Sequence, residues 1–179
     1  MANICSVNCV IAGFEGKDKI SKFFDFISDS RMTCIPISDV CEEFGINKSK
    51  ISNLRAGIVY SEELEFKFDI DSAWSTPIDF INSLESALDC SIKWCSSEPG
   101  CGVFETNDSE FEYFDRYEIV IDDDYHYAKT DEDAVGIIND ILLSSTNLPK
   151  INSLSDFDNE IYEDIDEERN VIIREFIIV

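Results

Sequence analysis

The chain has one histidine, His126, in 179 residues. That scarcity bears on catalysis, because a cysteine or serine nucleophile needs an adjacent base and zinc sites draw heavily on imidazole. Cysteine occurs seven times, at 5, 9, 34, 41, 90, 95 and 101, but the number is odd and no CxxC pair is present. Such a set does not make a secreted disulfide framework, so the thiols read as buried or free. Cys90, Cys95 and Cys101 with His126 are too irregularly spaced for a zinc site. There is no glycine loop that would cradle a phosphate and no internal repeat. No stretch approaches the roughly 20 apolar residues of a membrane helix, and no basic segment leads into an apolar one at the start. These absences together describe a soluble, cytoplasmic, non-enzymatic protein with no cofactor and no metal.

Positive charge is also scarce, with 14 Lys and Arg against 38 Asp and Glu and a net charge of −24. Its distribution says more than its size. Residues 1–60 carry seven of each sign, whereas residues 61–179 carry seven basic and 31 acidic side chains. Such a field repels nucleic acid and membrane headgroups and attracts basic surfaces within about a Debye length, roughly 8 Å at physiological salt. Asp122-Asp123-Asp124 and Asp69-Ile70-Asp71 have the composition of calcium ligands. Neither is followed by the glycine and glutamate that a calcium loop places at its sixth and twelfth positions.

The stretch from Leu64 to Thr106 is the most regular part of the chain. Leu64, Phe66, Phe68 and Ile70 alternate with charged residues, the period of a strand with one buried face. Ser75-Thr76-Pro77 then offers a hydroxyl cap with proline in the first helical turn. Ile78, Ile81, Leu84, Ala87 and Leu88 recur at helical spacing, Ser91 to Cys95 alternates again, and Glu98-Pro99-Gly100-Cys101-Gly102 is a turn. Upstream, Cys5, Val7, Cys9 and Ile11 alternate as a first strand whose cysteines face the core. Ile20, Phe23, Phe24 and Ile27 give a first helix over residues 17–28. Ile58 to Tyr60 is expected to pair with residues 64–70 through a turn at Ser61-Glu62-Glu63. Trp74 and Trp94 read as core or rim aromatics.

The run Phe68 to Pro77 (FDIDSAWSTP), the Glu98 to Gly102 turn (EPGCG) and the opening Met1 to Asn8 (MANICSVN) resemble the YubB-like, ferredoxin-like domain family of plasmid and phage proteins. The resemblance covers residues 1–105 or so. In that family a tAWSpP segment precedes the second helix and an EPGxG turn follows the next strand. This chain departs from the pattern at Ile4 and Thr76, where the family carries tryptophan and a second proline, and at Leu54 to Gly57, where a tryptophan-rich segment is usual. The resemblance implies a fold and a mobile-element setting, and no reaction.

The expected architecture is α+β. Residues 1–106 form a ferredoxin-like β-α-β-β-α-β sandwich with a helical insert at 37–55, and residues 107–179 form an acidic α/β extension packed on the same core. Residues 37–57 also fit a second pattern. Val40, Cys41, Phe44, Gly45, Ile46, Ile51 and Leu54 fall where a helix-turn-helix needs apolar or small residues, which would place Lys48, Lys50, Asn53 and Arg55 on a DNA-reading helix over 48–54. The acidity of the rest of the chain opposes that alternative by repelling phosphate.

Beyond Gly102, Phe111 to Ile121 suggests one long strand or a bent pair with Glu110, Glu112, Glu118 and Asp122 facing outward. Asp131-Glu132-Asp133 suits a helix N-terminus. Residues 147–155 read as a loop, and Phe157, Ile161 and Ile165 give residues 156–168 a narrow apolar stripe on an acidic helix. Val171 to Val179 (VIIREFIIV) reads as a strand inside a sheet. The expected partner-binding face is therefore acidic and resembles the spacing of duplex phosphates. It comprises Glu105, Glu110, Glu112, Glu118, Asp122, Asp123, Asp124, Asp156, Asp158, Glu160, Glu163, Asp164, Asp166, Glu167 and Glu168. Its expected partner is a basic nucleic-acid-binding protein or nuclease, bound in an anti-restriction, anti-CRISPR or nuclease-immunity role.

Overall fold

The structure is a computed structural model that describes residues 3–29, 33–62, 65–143, 150–156 and 171–179. Among the described residues the fold is mixed α+β, with a seven-stranded sheet, a three-stranded sheet and five helices. The chain divides into two compact units, residues 1–108 with 178–179, and residues 109–177.

The first unit runs β1 (Ile4–Phe14), α1 (Lys17–Asp29), β2 (Ile35–Pro36), α2 (Ile37–Glu43), β3 (Ala56–Glu62), β4 (Lys67–Ala73), α3 (Ile78–Leu88), β5 (Cys90–Glu98) and β6 (Val103–Thr106). With β10 (Ile177–Ile178), the strands lie in the order β10-β6-β5-β1-β4-β3-β2. β1 pairs antiparallel with both β4 and β5, and Cys9 stands opposite Phe68 on one side and Trp94 on the other. Its alternating Cys5, Val7, Cys9 and Ile11 are buried as expected. They meet Ile20, Phe23, Phe24 and Ile27 of α1 and Phe80, Ile81, Leu84 and Leu88 of α3 in one core. Phe23 lies at its centre, edge-on to Phe24, Phe44 and Phe68 with centroids 5.4, 5.8 and 5.2 Å away. Edge-to-face packing places a positive ring edge on a negative ring face, so this cluster gains energy beyond its buried area.

Several local expectations are corrected. The strand after the hairpin begins at Lys67 and continues to Ala73, while the expected Leu64 lies outside the described residues. Phe66 has φ +53°, and its ring packs 5.3 Å from Phe14. Phe66 therefore lies in a turn, and the strand starts and ends three residues later than the sequence pattern suggested. At α3, Pro77 is itself the cap residue and no side chain caps the helix. The Thr76 hydroxyl is buried and donates instead to Ser96 Oγ at 2.8 Å, across to β5.

The second unit contains β7 (Tyr117–Ile121), β8 (Asp124–Ala128), α4 (Asp131–Leu143), the short α5 (Leu154–Asp156) and β9 (Val171–Glu175). Its sheet has the order β8-β7-β9, all antiparallel. Tyr117, Ile119 and Ile121 face Ala134 and Ile138 of α4, with Ile151 closing the same core. Asn139 clasps that segment, donating to Ile151 C=O at 2.9 Å and accepting from its N–H at 3.0 Å. Residues 107–116 form no strand, and Phe111 takes φ +50°, so the expected long strand reduces to β7. The expected interior strand at 171–179 is also corrected. It is two pieces, β9 at the edge of the three-stranded sheet and β10 at the edge of the seven-stranded one, where Val179 N–H donates to Thr106 C=O at 3.0 Å. Phe176 between them is buried, and Ile177, Ile178 and Val179 are exposed.

Truncating Phe23 removes the ring shared by three aromatic contacts. Phe23→Ala should therefore cost about 3–5 kcal/mol in urea unfolding. A loss below about 1 kcal/mol would contradict the placement of Phe23 at the core centre.

Candidate interaction surface

The acidic face foreseen from the sequence is only partly one surface. Glu105 is half-buried on β6, in the first unit. Glu110 and Glu112 are exposed on the irregular segment before β7. Glu118 lies on the face of β7 away from α4, as the alternation expects, but it is buried there and pairs with Arg174 directly opposite on β9. The other described residues of the face lie at two turns.

At the β7–β8 hairpin, Asp122 and Asp123 take φ +52° and +70°, a two-residue turn with both central residues left-handed. That conformation matches the right-handed twist of the strands, and aspartate tolerates it better than most residues. Asp122, Asp123 and Asp124 are exposed at the tip. Asp156, in contrast, is spent locally. Its carboxylate accepts from the Asn152 and Ser153 N–H groups at 2.9 and 3.0 Å, and these bonds hold its pKa below the usual carboxylate value. Asp158, Glu160, Glu163, Asp164, Asp166, Glu167 and Glu168, with the acidic helix expected there, lie outside the described residues.

Three described cations of the second unit, Arg116, Lys129 and Arg174, are engaged inside it. Arg116 donates to Glu175 Oε1 through Nε and Nη2 at 2.9 and 2.7 Å and to Asp131 Oδ1 through Nη1 at 3.1 Å. Its guanidinium also lies 5.0 Å from the Tyr117 ring centroid. The Tyr117 hydroxyl donates to the same Asp131 oxygen at 2.8 Å, and burial followed by that bond pushes its pKa up to about 12. Lys129 Nζ donates to Glu112 C=O. Sequence reasoning missed this Arg116 hub, although a lone arginine preceding an apolar strand in so acidic a region is a signal for it. The unit carries five Lys and Arg against twenty Asp and Glu. Of its described carboxylates, Glu110, Glu112, Asp122, Asp123, Asp124, Glu132 and Asp133 are exposed.

The alternative DNA-reading helix is corrected. α2 is followed by a single 3-10 turn, Lys48–Lys50, after which the chain is extended at Ile51. Asn47 accepts from Ser49 N–H, a local side-chain bond that competes with helix continuation. Lys48 pairs with Glu42 at 3.1 Å. Asn53 donates to Ala73 C=O at 2.7 Å and to Ser72 Oγ, pinning the loop to β4. Lys50 and Arg55 are exposed but share no helix. Arg55 instead lines a mainly apolar cavity of about 360 Å³ with Ile4, Pro36, Leu54, Asp71 and Ala73.

The FDIDSAWSTP run and the EPGCG turn meet at Asn3 within the first unit. Trp74, at φ +75°, donates its N–H to Asn3 C=O at 3.1 Å. The buried Glu98 carboxylate accepts from the Gly100 N–H at 3.1 Å and from the Cys101 N–H. A Cβ on Gly100 would lie 2.7 Å from Asn3 Nδ2 and 2.9 Å from Glu98 Oε1, so a side chain there would displace the ends of both. The Cys101 thiol is bonded by Glu98 and its pKa is raised, and burial raises that of Cys5. Both thiols are held protonated and are poor nucleophiles, so the cluster locks a turn. Among the described residues, no group of three or more His, Cys, Asp or Glu is placed to hold a metal ion. Nor is any helix among them long and apolar enough to cross a membrane.

No family model matches this chain, and comparison with curated proteins and with solved structures finds no match to either.

Two outcomes test the geometry of the second unit. Glu118→Gln removes the carboxylate that Arg174 faces inside the fold, and should cost about 3–5 kcal/mol in chemical unfolding, while the Glu118→Met/Arg174→Met double variant should recover most of it. A loss equal in the single and double variants would show that the pair is not coupled. For Tyr117 the neutral phenol is the form the fold favours, so stability falls as pH rises from about 10 toward 12. An ultraviolet titration should show a late tyrosine ionisation near pH 12 that Tyr117→Phe removes.

Proposed function

We propose that this chain is an acidic, non-enzymatic interaction protein of a mobile genetic element. It binds and inhibits a basic, nucleic-acid-handling protein, a restriction or CRISPR component or a nuclease toxin, in the cytoplasm. The observation that carries the reading is the charge of the second unit, five basic against twenty acidic side chains, with Arg116 and Arg174 consumed internally. A partner evolved to hold duplex phosphates presents a positive surface, and carboxylates on ordered elements compete for it through the same electrostatic attraction. Mutual repulsion among so many carboxylates lowers the stability of the compact state, which favours a role for them outside the fold.

The mobile-element setting rests on the YubB-like resemblance, and the first unit is taken as the ferredoxin-like domain of that reading. Support comes from the order β5-β1-β4-β3, in which helices follow the first and third strands of a β-α-β-β-α-β sequence. In that frame α2 and the 3-10 turn at Lys48–Lys50 are the insert between α1 and β3.

Affinity capture of the tagged protein from bacterial lysate tests the function. A basic nuclease or DNA-binding protein should be retained near physiological salt, survive nuclease treatment and be lost at high salt. The variant Glu110→Lys/Glu112→Lys/Asp124→Lys/Glu132→Lys changes exposed positions and should abolish capture while leaving the circular dichroism spectrum intact. Undiminished capture by that variant, or recovery of nucleic acid that nuclease treatment removes, overturns the proposal.

A further inference from the structure

Among the described residues β8 is an edge strand, and its two faces differ in kind. Ala128 is buried and His126 half-buried, on the side that packs against α4. Tyr125 and Tyr127 point the other way and are 57% and 53% exposed. They stand opposite Val120 and Glu118, with Asp122, Asp123 and Asp124 at one end. Because the loop has two residues, Ile121 and Asp124 form the hydrogen-bonded closing pair, and the alternation of an antiparallel ladder turns the Tyr125 backbone N–H and C=O away from β7.

We infer that the outer edge of β8 is a docking site for an extended, arginine-rich segment of the partner protein, which adds to the sheet as a further strand. Backbone groups of an added strand bond the edge, and its side chains on one face recur about every 6.6–7 Å, the spacing of Tyr125 and Tyr127. Guanidinium groups at that spacing lie over the tyrosine rings and reach the aspartates of the tip, whose charge they complement. A second copy of this chain is a poor occupant, since each copy carries a net charge of −24. The inference rests on the basic-partner reading above and assigns that partner's contact to one strand.

The test uses the full chain and a short synthetic peptide alternating arginine and valine, alongside its fully N-methylated analogue, which has the same charge but cannot donate backbone hydrogen bonds. The unmethylated peptide should bind at least about tenfold more tightly, and amide resonances of Asp124 to Ala128 should shift on its addition. Tyr125→Ala/Tyr127→Ala should weaken it by about tenfold or more, whereas Tyr60→Ala, a comparably exposed tyrosine in the first unit, should not. Equal binding of the two peptides, with the tyrosine variant unaffected, overturns strand docking and leaves the acidic-surface reading in place. Absence of binding by either peptide at low salt overturns both.

Discussion

The first unit depends on β1, a strand bonded along both sides and required to present two chemically different faces. Its inward residues are small or branched apolar groups, and its outward Ser6 and Asn8 donate to Asp71 at 3.1 Å and Asp69 at 3.0 Å, the residues directly opposite on β4. A slip of one residue would put Ser6 and Asn8 into the core and Cys9 into water. Register is therefore specified twice, by burial on one face and by hydrogen bonds on the other. Burial also pushes the Cys9 thiol pKa well up and that of Cys90 up to about 12, so these cysteines behave as small apolar groups.

The second unit meets a different constraint. With few cations available, it uses arginine where one side chain can tie several elements together. Arg116 joins the start of β7 to β9 and to the first turn of α4, and Arg174 neutralises a carboxylate that would otherwise be buried alone. The planar guanidinium suits this work because it offers several fixed donors, which an ammonium group cannot match. Internal ties and exposed charge follow from one distribution: Arg116 and Arg174 are held inside the unit, and the described carboxylates they do not reach, such as Glu110, Glu112 and Asp122 to Asp124, are exposed.

Elements with one clean period were legible in the sequence. β1, α1, α3, β5 and α4 each bury one face, and a period of two or of 3.6 records that directly. The spacing that suggested a helix-turn-helix records burial too, since Val40, Cys41, Ile46 and Ile51 are core residues. It cannot distinguish a second helix from a loop whose asparagines bond the backbone. The aromatic and acidic run after Gly102 looked like a strand because phenylalanine and tyrosine favour strands, yet Phe111 adopts a left-handed turn. The last nine residues looked uniformly buried because two short edge strands from different sheets follow one another there, and no single alternation spans them. Of the acidic face, the exposed tip and the Glu110 and Glu112 segment were legible. The burial of Glu118 on the outer face of β7 was not, because its partner Arg174 lies 56 residues away in sequence.

The hairpin tip separates what the fold requires from what it leaves over. Asp122 and Asp123 have a backbone reason for their identity, since their left-handed conformations suit aspartate. Tyr125 and Tyr127 sit in ordinary strand conformation, and they are 57% and 53% exposed. Edge strands are commonly protected from unwanted pairing by lysine, proline or a bulge, and β8 contains none of these between Asp124 and Ala128. Protection comes from the charge of the whole chain, which drives copies of it apart at low and moderate salt. That form of protection is selective by sign. It closes the edge to acidic and self-similar strands and leaves it open to a strand carrying positive charge.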